Sequence, residues 1–142
     1  MRTLDAEQIE VFLMEGTRTA KVAVVRKDGS PLVTPVWFLV DGDRAIVFTT
    51  GKRSVKGHAL ERDPRVSICV EDDEPPFGFV RVDGVVELSE DPAELRLVAT
   101  RIAERYMGAE RAQEFGERNS VPGEILVRVR PTHVVGQVEL AD

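Results

Sequence analysis

The sequence predicts a mainly β fold with appended helices, an α+β chain whose six or seven short antiparallel strands close into a small barrel. Three observations carry this. Short apolar, β-branched segments recur through the chain, beginning with Thr19 to Val25. Turn signals, Lys27-Asp28-Gly29-Ser30 and Asp41-Gly42-Asp43, separate the first three of them. Parallel neighbours need a crossover of about a dozen residues, and these turns are far shorter, so the early strands are antiparallel.

The elements follow in order. Asp5 to Glu15 reads as an amphipathic helix with Asp5 as N-cap and Gln8 completing a capping box. Leu4 and Ile9 occupy the staple positions, Ile9, Phe12 and Leu13 form the apolar stripe, and Gly16 stops the helix. Thr19–Val25, Pro31–Val40 and Arg44–Thr50 are read as a three-stranded meander. Pro35 cannot donate to a ladder, which places an edge or a bulge in the second strand. Ser54 to Arg62 is a short helix ending at Asp63-Pro64. Arg65–Glu71 and Phe79–Leu88 are the fourth and fifth strands, joined by the acidic loop Asp72-Asp73-Glu74-Pro75-Pro76. Asp91-Pro92-Ala93-Glu94 opens a longer helix, with Leu95, Val98, Ala99, Ile102 and Tyr106 on one face. Gly108 interrupts it before a short helix over Glu110 to Arg118. Glu124–Val129 and His133–Leu140 are read as two final strands.

Composition narrows the class of protein. At 142 residues the chain has the length of one domain, residues 1–142. Its 19 Lys and Arg against 25 Asp and Glu give a net charge of −6, which argues against nucleic acid as a partner. No apolar run approaches the roughly 18 residues of a membrane span, and no signal-type apolar region follows Met1. The lone Cys69 excludes an intrachain disulfide framework and fits a reducing cytoplasm, the expected location. Cys69, between Ile68 and Val70 with no cation expected on its face, reads as a small buried residue rather than a nucleophile. His58 and His133 lack metal-ligand spacing, so no metal site is expected. Turn chemistry accounts for Asp41 and Asp43, and the Asp72–Glu74 run reads as a solvated loop.

The informative feature is a local reversal of charge. Residues 51–65 carry +3, with Lys52, Arg53, Lys56, Arg62 and Arg65 against Glu61 and Asp63. The rest of the chain is therefore −9. The cluster begins where a strand ending in Thr49-Thr50-Gly51 turns into a helix capped by Ser54. A capping hydroxyl, free backbone N–H groups and flanking cations make an anion site, and a solvated helix face is the alternative. Pro35-Val36-Trp37-Phe38 holds the only tryptophan, which suits core packing or the wall of a flat ligand. No nucleophile or acid–base pair stands out. An enzyme of this sequence therefore draws its chemistry from a bound cofactor.

The segment Val47-Phe48-Thr49-Thr50-Gly51-Lys52-Arg53-Ser54-Val55-Lys56, with Asp63-Pro64-Arg65-Val66 downstream, resembles the flavin-phosphate motif of the pyridoxamine 5'-phosphate oxidase-like split-barrel family. Thr50, Ser54 and Lys56 have the motif's spacing. The Asp28-Gly29-Ser30-Pro31 turn, the Pro35–Phe38 strand and Arg105-Tyr106-Met107-Gly108 extend the resemblance over nearly the whole chain. It implies an FMN-binding-like split β-barrel. Thr34, Leu39 and Val55 stand where the true oxidases carry cations for the FMN phosphate. The chain is more similar to the actinobacterial branch that uses the deazaflavin coenzyme F420, in its T-P-V-W-F strand, its D-P-R-V segment and its R-Y-M-G helix.

That resemblance implies an F420H2-dependent reductase passing a hydride to an electron-poor acceptor such as an enone, an enoate or a tetrapyrrole-like molecule. An FMN-dependent oxidoreductase and a non-catalytic carrier of a flavin or tetrapyrrole are the alternatives. It assigns Thr50, Arg53, Ser54 and Lys56 to the phosphate, with Thr49 beside them, and Thr34, Pro35, Val36 and Trp37 to the ring. It further implies a homodimer with the cofactor between subunits, where Phe77 and Phe79 close the site from the partner.

Overall fold

A computed structural model describes residues 1–142. In chain order it contains β1 (Arg2–Thr3), α1 (Ala6–Met14), β2 (Ala20–Val25), β3 (Pro31–Val36), β4 (Leu39–Val40) and β5 (Ile46–Gly51). Next come α2 (Val55–Arg62), β6 (Arg65–Asp72), β7 (Gly78–Ser89), α3 (Pro92–Met107), a 3-10 turn (Ala109–Arg111), α4 (Ala112–Arg118) and β8 (Glu124–Val138). All pairings are antiparallel, in the order β3-β2-β6-β7-β8-β5-β4, with β1 added to β8. No helix is long and apolar enough to cross a membrane.

The predicted second strand, Pro31 to Val40, is two strands. Its first half pairs with β2 and its second with β5, so the three-stranded meander does not form. β3 and β4 lie at opposite ends of the sheet path, yet only Trp37 and Phe38 separate them in the chain. The sheet must therefore curl until its ends meet, which produces the split barrel. Phe38 sits at that seam, fully buried among the core side chains of both ends. Pro35 faces no donor requirement because β3 pairs on one side only, an edge position as expected.

The last two predicted strands are one. β8 runs unbroken beside the whole of β7, with a register irregularity between Asp83 and Gly84. There Asp83 pairs with His133 and Gly84 with Pro131, so Thr132 is the extra residue and donates its hydroxyl to the Asp83 carbonyl at 3.1 Å. A proline that breaks a ladder locally is tolerated at such a bulge, because a long partner strand holds both sides.

The first three helical expectations hold, whereas the helix read over Glu110 to Arg118 is a 3-10 turn followed by α4. Asp5 and Gln8 form the reciprocal capping box of α1, and Asp91 caps α3 with Pro92 in its first turn. Phe12 and Leu13 enter a 19-residue core inside the barrel, against which Leu4 and Ile9 pack. Burying side chains of this size stabilises by about 1.5–3 kcal/mol each. A second, smaller core lies on the outer face of β5 and β8, where Val47 and Leu126 meet Leu95, Val98 and Ile102 of α3. Arg128 ties this layer together, pairing with Asp41 at 2.7 Å and Glu94 at 2.9 Å. α3 thereby closes over one end of the sheet and creates the cavity described next.

Candidate functional site

The strand-to-helix turn after β5 is set by local chemistry. Ser54 accepts the Gly57 N–H at 3.0 Å as N-cap of α2 and donates its own proton to the Gly51 carbonyl at 2.7 Å. A Cβ at Gly57 would lie 2.2 Å from the Gly51 carbonyl oxygen, so only glycine lets α2 pack this close to β5. The close approach turns Lys56 toward β3. Its ammonium donates to the Thr34 hydroxyl at 3.0 Å and forms no ion pair. Lys56 is half-buried, and that burial pushes its pKa below the ordinary lysine value.

Lys56 borders a cavity of about 310 Å³. β3 and the residue after it contribute Pro35, Val36 and Trp37, and β5 contributes Thr49, Thr50 and Gly51. α3 supplies Ala99 and Ile102, and the connection after α4 and the start of β8 supply Asn119 and Glu124. The volume is that of a small-ligand site. Trp37 is held by a parallel stack on Tyr106 and a tilted contact with Phe115, with ring centroids 5.1 Å and 6.1 Å away. Tyr106 is itself fixed, donating to the Arg18 carbonyl at 2.6 Å and accepting the Phe38 N–H at 3.3 Å. Arg105 beside it donates to the carbonyls of Leu13, Gly16 and Phe38. The arginine and tyrosine read as a motif in the sequence thus brace the seam between β3 and β4 and the aromatic wall.

Of the residues assigned from sequence, Pro35, Val36, Trp37, Thr49, Thr50 and Lys56 come together in this cavity, with Thr34 attached through Lys56. Arg53 and Ser54 do not line it. Arg53 is exposed on the preceding loop, and the Ser54 hydroxyl is committed to the helix cap. Phe77 and Phe79 lie elsewhere, near the start of β7 beside the C-terminal end of β8, whereas the cavity borders the opposite end of β8. Phe77 is 41% exposed in the loop, and Phe79 belongs to β7 rather than to the loop.

Sequence reasoning missed Asn119 and Glu124. Glu124 opens a strand with no motif around it. Only its pairing opposite Gly51 brings it to the turn. It is half-buried with no hydrogen-bonded or ionic partner, and burial pushes its pKa above the ordinary glutamate value.

The reading of Cys69 is corrected here. It is half-buried on the outer face of β6, and the cations Lys21 and Arg81 are its direct neighbours on β2 and β7. Cross-strand pairing supplied cations that the local sequence does not contain. Its pKa is nonetheless raised, because burial and then Glu71 outweigh Lys21 and Arg81. No group of three or more His, Cys, Asp and Glu side chains gathers in a metal-binding arrangement.

The cavity thus presents one cation, Lys56, two threonines, Thr49 and Thr50, and the aromatic wall of Trp37. The family model for pyridoxamine 5'-phosphate oxidase matches residues 6–137. The chain belongs to the pyridoxamine 5'-phosphate oxidase family. No curated protein matches it. Among solved structures it is similar to the conserved hypothetical protein Rv2991 of Mycobacterium tuberculosis, 28% identical over 96% of this chain and 86% of that one, with a TM-score of 0.83. It is also similar to an F420 reductase, 27% identical over 87% of this chain and 94% of that one, with a TM-score of 0.69. The heme storage protein HutZ of Vibrio cholerae shares the fold, at 22% identity over 96% and 98% of the two chains and a TM-score of 0.73. Membership in the oxidase family and the antiparallel split barrel agree with the sequence resemblance.

Proposed function

We propose that this chain is an F420H2-dependent reductase acting on an electron-poor organic acceptor, such as an enone, an enoate or a tetrapyrrole-like molecule. The observation that carries the reading is Lys56: a half-buried ammonium with no carboxylate partner, at the edge of a cavity walled by Trp37 and floored by Thr49 and Thr50. Burying a cation without a counter-ion is unfavourable, so the site is complete only when an anion is seated there. The residues fit a phosphorylated flavin-type cofactor.

The reduced deazaflavin supplies the hydride when bound. The chain's own residues bind and orient. Lys56 and Thr50 would hold the phosphate, and Trp37, braced by Tyr106, would offer the ring an aromatic wall. Ile102 and Ala99 keep water from that wall. Positioning of this kind, without an acid–base pair, is sufficient where the cofactor carries the chemistry.

A second observation favours F420 over FMN. Eight of the 19 Lys and Arg make no ion pair, and five of these, Arg26, Lys27, Arg53, Lys56 and Arg62, lie on the β2–β3 turn and around α2. Arg26, Lys27, His58 and Arg62 line one open concavity in which Asp28 is the only acid. FMN ends at one phosphate. F420 continues from its phosphodiester into a tail of carboxylates, and a run of unpaired cations suits it. The similarity to an F420 reductase at 27% identity supports the same choice.

In this reading the protein is a homodimer, and Phe77 and Phe79 serve the cavity of the other subunit. Their position, apart from the cavity of their own chain, supports that assignment. The experiment is titration of the purified protein with F420 and with FMN. Tight F420 binding with dependence on Lys56 is the expected result. Tight FMN binding with none for F420 would replace this reading with the FMN-dependent one, and binding without turnover of any acceptor would leave a carrier.

A further inference from the structure

We propose that Glu124 fixes the charge state in which the cavity accepts its ligand: as an anionic group seats against Lys56, the Glu124 carboxylate takes up one proton from solvent. The cavity contains two ionisable side chains, Lys56 on one element and Glu124 on another. They form no ion pair with each other. Lys56 is bound to Thr34, which leaves two of its three ammonium protons for a ligand. Glu124 has no hydrogen-bond partner.

No group around Glu124 hydrogen-bonds its carboxyl, and Lys56 is the one cation that shares the cavity lining with it. β5 faces it with Gly51 and Thr49, α3 with Ala99 and Ile102, and the connection after α4 with Asn119. On its other side lie Pro92, Leu95, Ser120, Val121 and Pro122. On the loop that follows Gly51, Lys52 is already paired with Glu90 at 3.0 Å, and Arg53 is exposed and does not line the cavity. Glu90 adds a further negative group on that side. Burial alone already favours the neutral form of Glu124.

An anion at Lys56 adds to this. Glu124 and Lys56 line the same cavity of about 310 Å³. Two like charges inside one partly desolvated cavity disfavour each other, so an anion at Lys56 favours the neutral form of Glu124. The carboxylate is therefore protonated on binding rather than expelled from its buried position. The consequence is ligand selection. An anion binds more tightly as pH falls, and a ligand lacking negative charge at Lys56 shows no such dependence.

The inference rests on the preceding reading only for which anion is bound. The test is calorimetric titration of the full chain and of Glu124→Gln with F420 and, separately, with FMN. Each is run at several pH values between 5.5 and 8.5 in two buffers of different ionisation enthalpy. The ligand's own ionisation is common to both proteins and cancels in the difference. The expected result is uptake of up to one extra proton by the wild type. Glu124→Gln should also bind roughly tenfold or more tightly at pH 8, with a flatter pH profile.

F420 binding without extra proton uptake overturns the inference and leaves the cofactor reading intact. FMN binding with extra uptake, and none for F420, overturns the cofactor reading and upholds the inference. A chain that binds neither overturns both. Should Glu124→Gln fail to fold, the ¹³C carboxyl shift of Glu124 in the wild type, followed across pH with and without FMN, reads the same proton. A titration curve unmoved by bound FMN overturns the proposal.

Discussion

Trp37 and Tyr106 stack with their ring planes 3° from parallel and their centroids 5.1 Å apart, although 68 residues separate the Tyr106 hydroxyl from the Phe38 N–H it also binds. This contact links the seam of the barrel to the wall of the cavity. Tyr106→Phe keeps the ring but leaves the Phe38 N–H and the Arg18 carbonyl without their partner. Loss of about 1–3 kcal/mol of unfolding free energy is expected, measured by denaturant titration, with little change in Trp37 emission. Tyr106→Ala should in addition shift Trp37 emission and weaken cofactor binding. An unchanged emission spectrum in the alanine variant would mean that Tyr106 does not position the wall.

Lys56→Met separates binding from stability. The ammonium is half-buried and unpaired, so its removal should change stability by no more than about 0.5 kcal/mol, while anion affinity falls at least tenfold. The pH dependence has a definite sign. A lysine whose folded pKa is lowered makes the unfolded chain bind more protons, so its contribution to stability rises as pH climbs toward 10.5. That rise, read from thermal unfolding at alkaline pH, should be absent in the methionine variant. Equal losses of stability and affinity would instead give Lys56 a structural role.

Gly57→Ala tests the turn itself. The added methyl would meet the Gly51 and Lys52 carbonyl oxygens at 2.2 and 2.7 Å, both backbone atoms that cannot swing aside. Destabilisation of about 1–3 kcal/mol or more is expected, together with loss of cofactor binding, because Lys56 moves with the helix. Retained affinity in a folded variant would show that the turn tolerates displacement.

Asp63 governs part of the acid response. The Arg65 guanidinium beside it, at 2.7 and 2.9 Å, holds its carboxyl down to about 2 from 3.8. A lowered folded pKa contributes stability that is complete above about 3.8 and is lost as pH falls through about 2. Asp63→Asn should therefore flatten the unfolding profile in that window and leave the neutral range little changed. Because the Arg65 side chain is largely exposed, 0.5 M salt should reduce the difference between the two proteins.

Local sequence was sufficient wherever the determining contacts are local. The capping box at Asp5 and Gln8, the Ser54 cap, the Pro92 start and the glycine stops are all satisfied within a few residues, and each was legible. The motif from Thr49 to Lys56 was legible for the same reason. Antiparallel pairing and the family followed from short turns and from that motif. What the sequence could not determine is which strands are neighbours. An alternating apolar segment fits any partner of matching register, so Pro31–Val40 read as one strand of a meander until the curled sheet divided it between β2 and β5. The same long-range pairing placed Lys21 and Arg81 around Cys69 and brought Glu124 to the cavity opposite Gly51. By itself the sequence determined a split barrel with a basic strand-to-helix turn. The tertiary structure decided that this turn shares its cavity with an unpaired acid, because a strand places its side chains by register with partners far away in the chain.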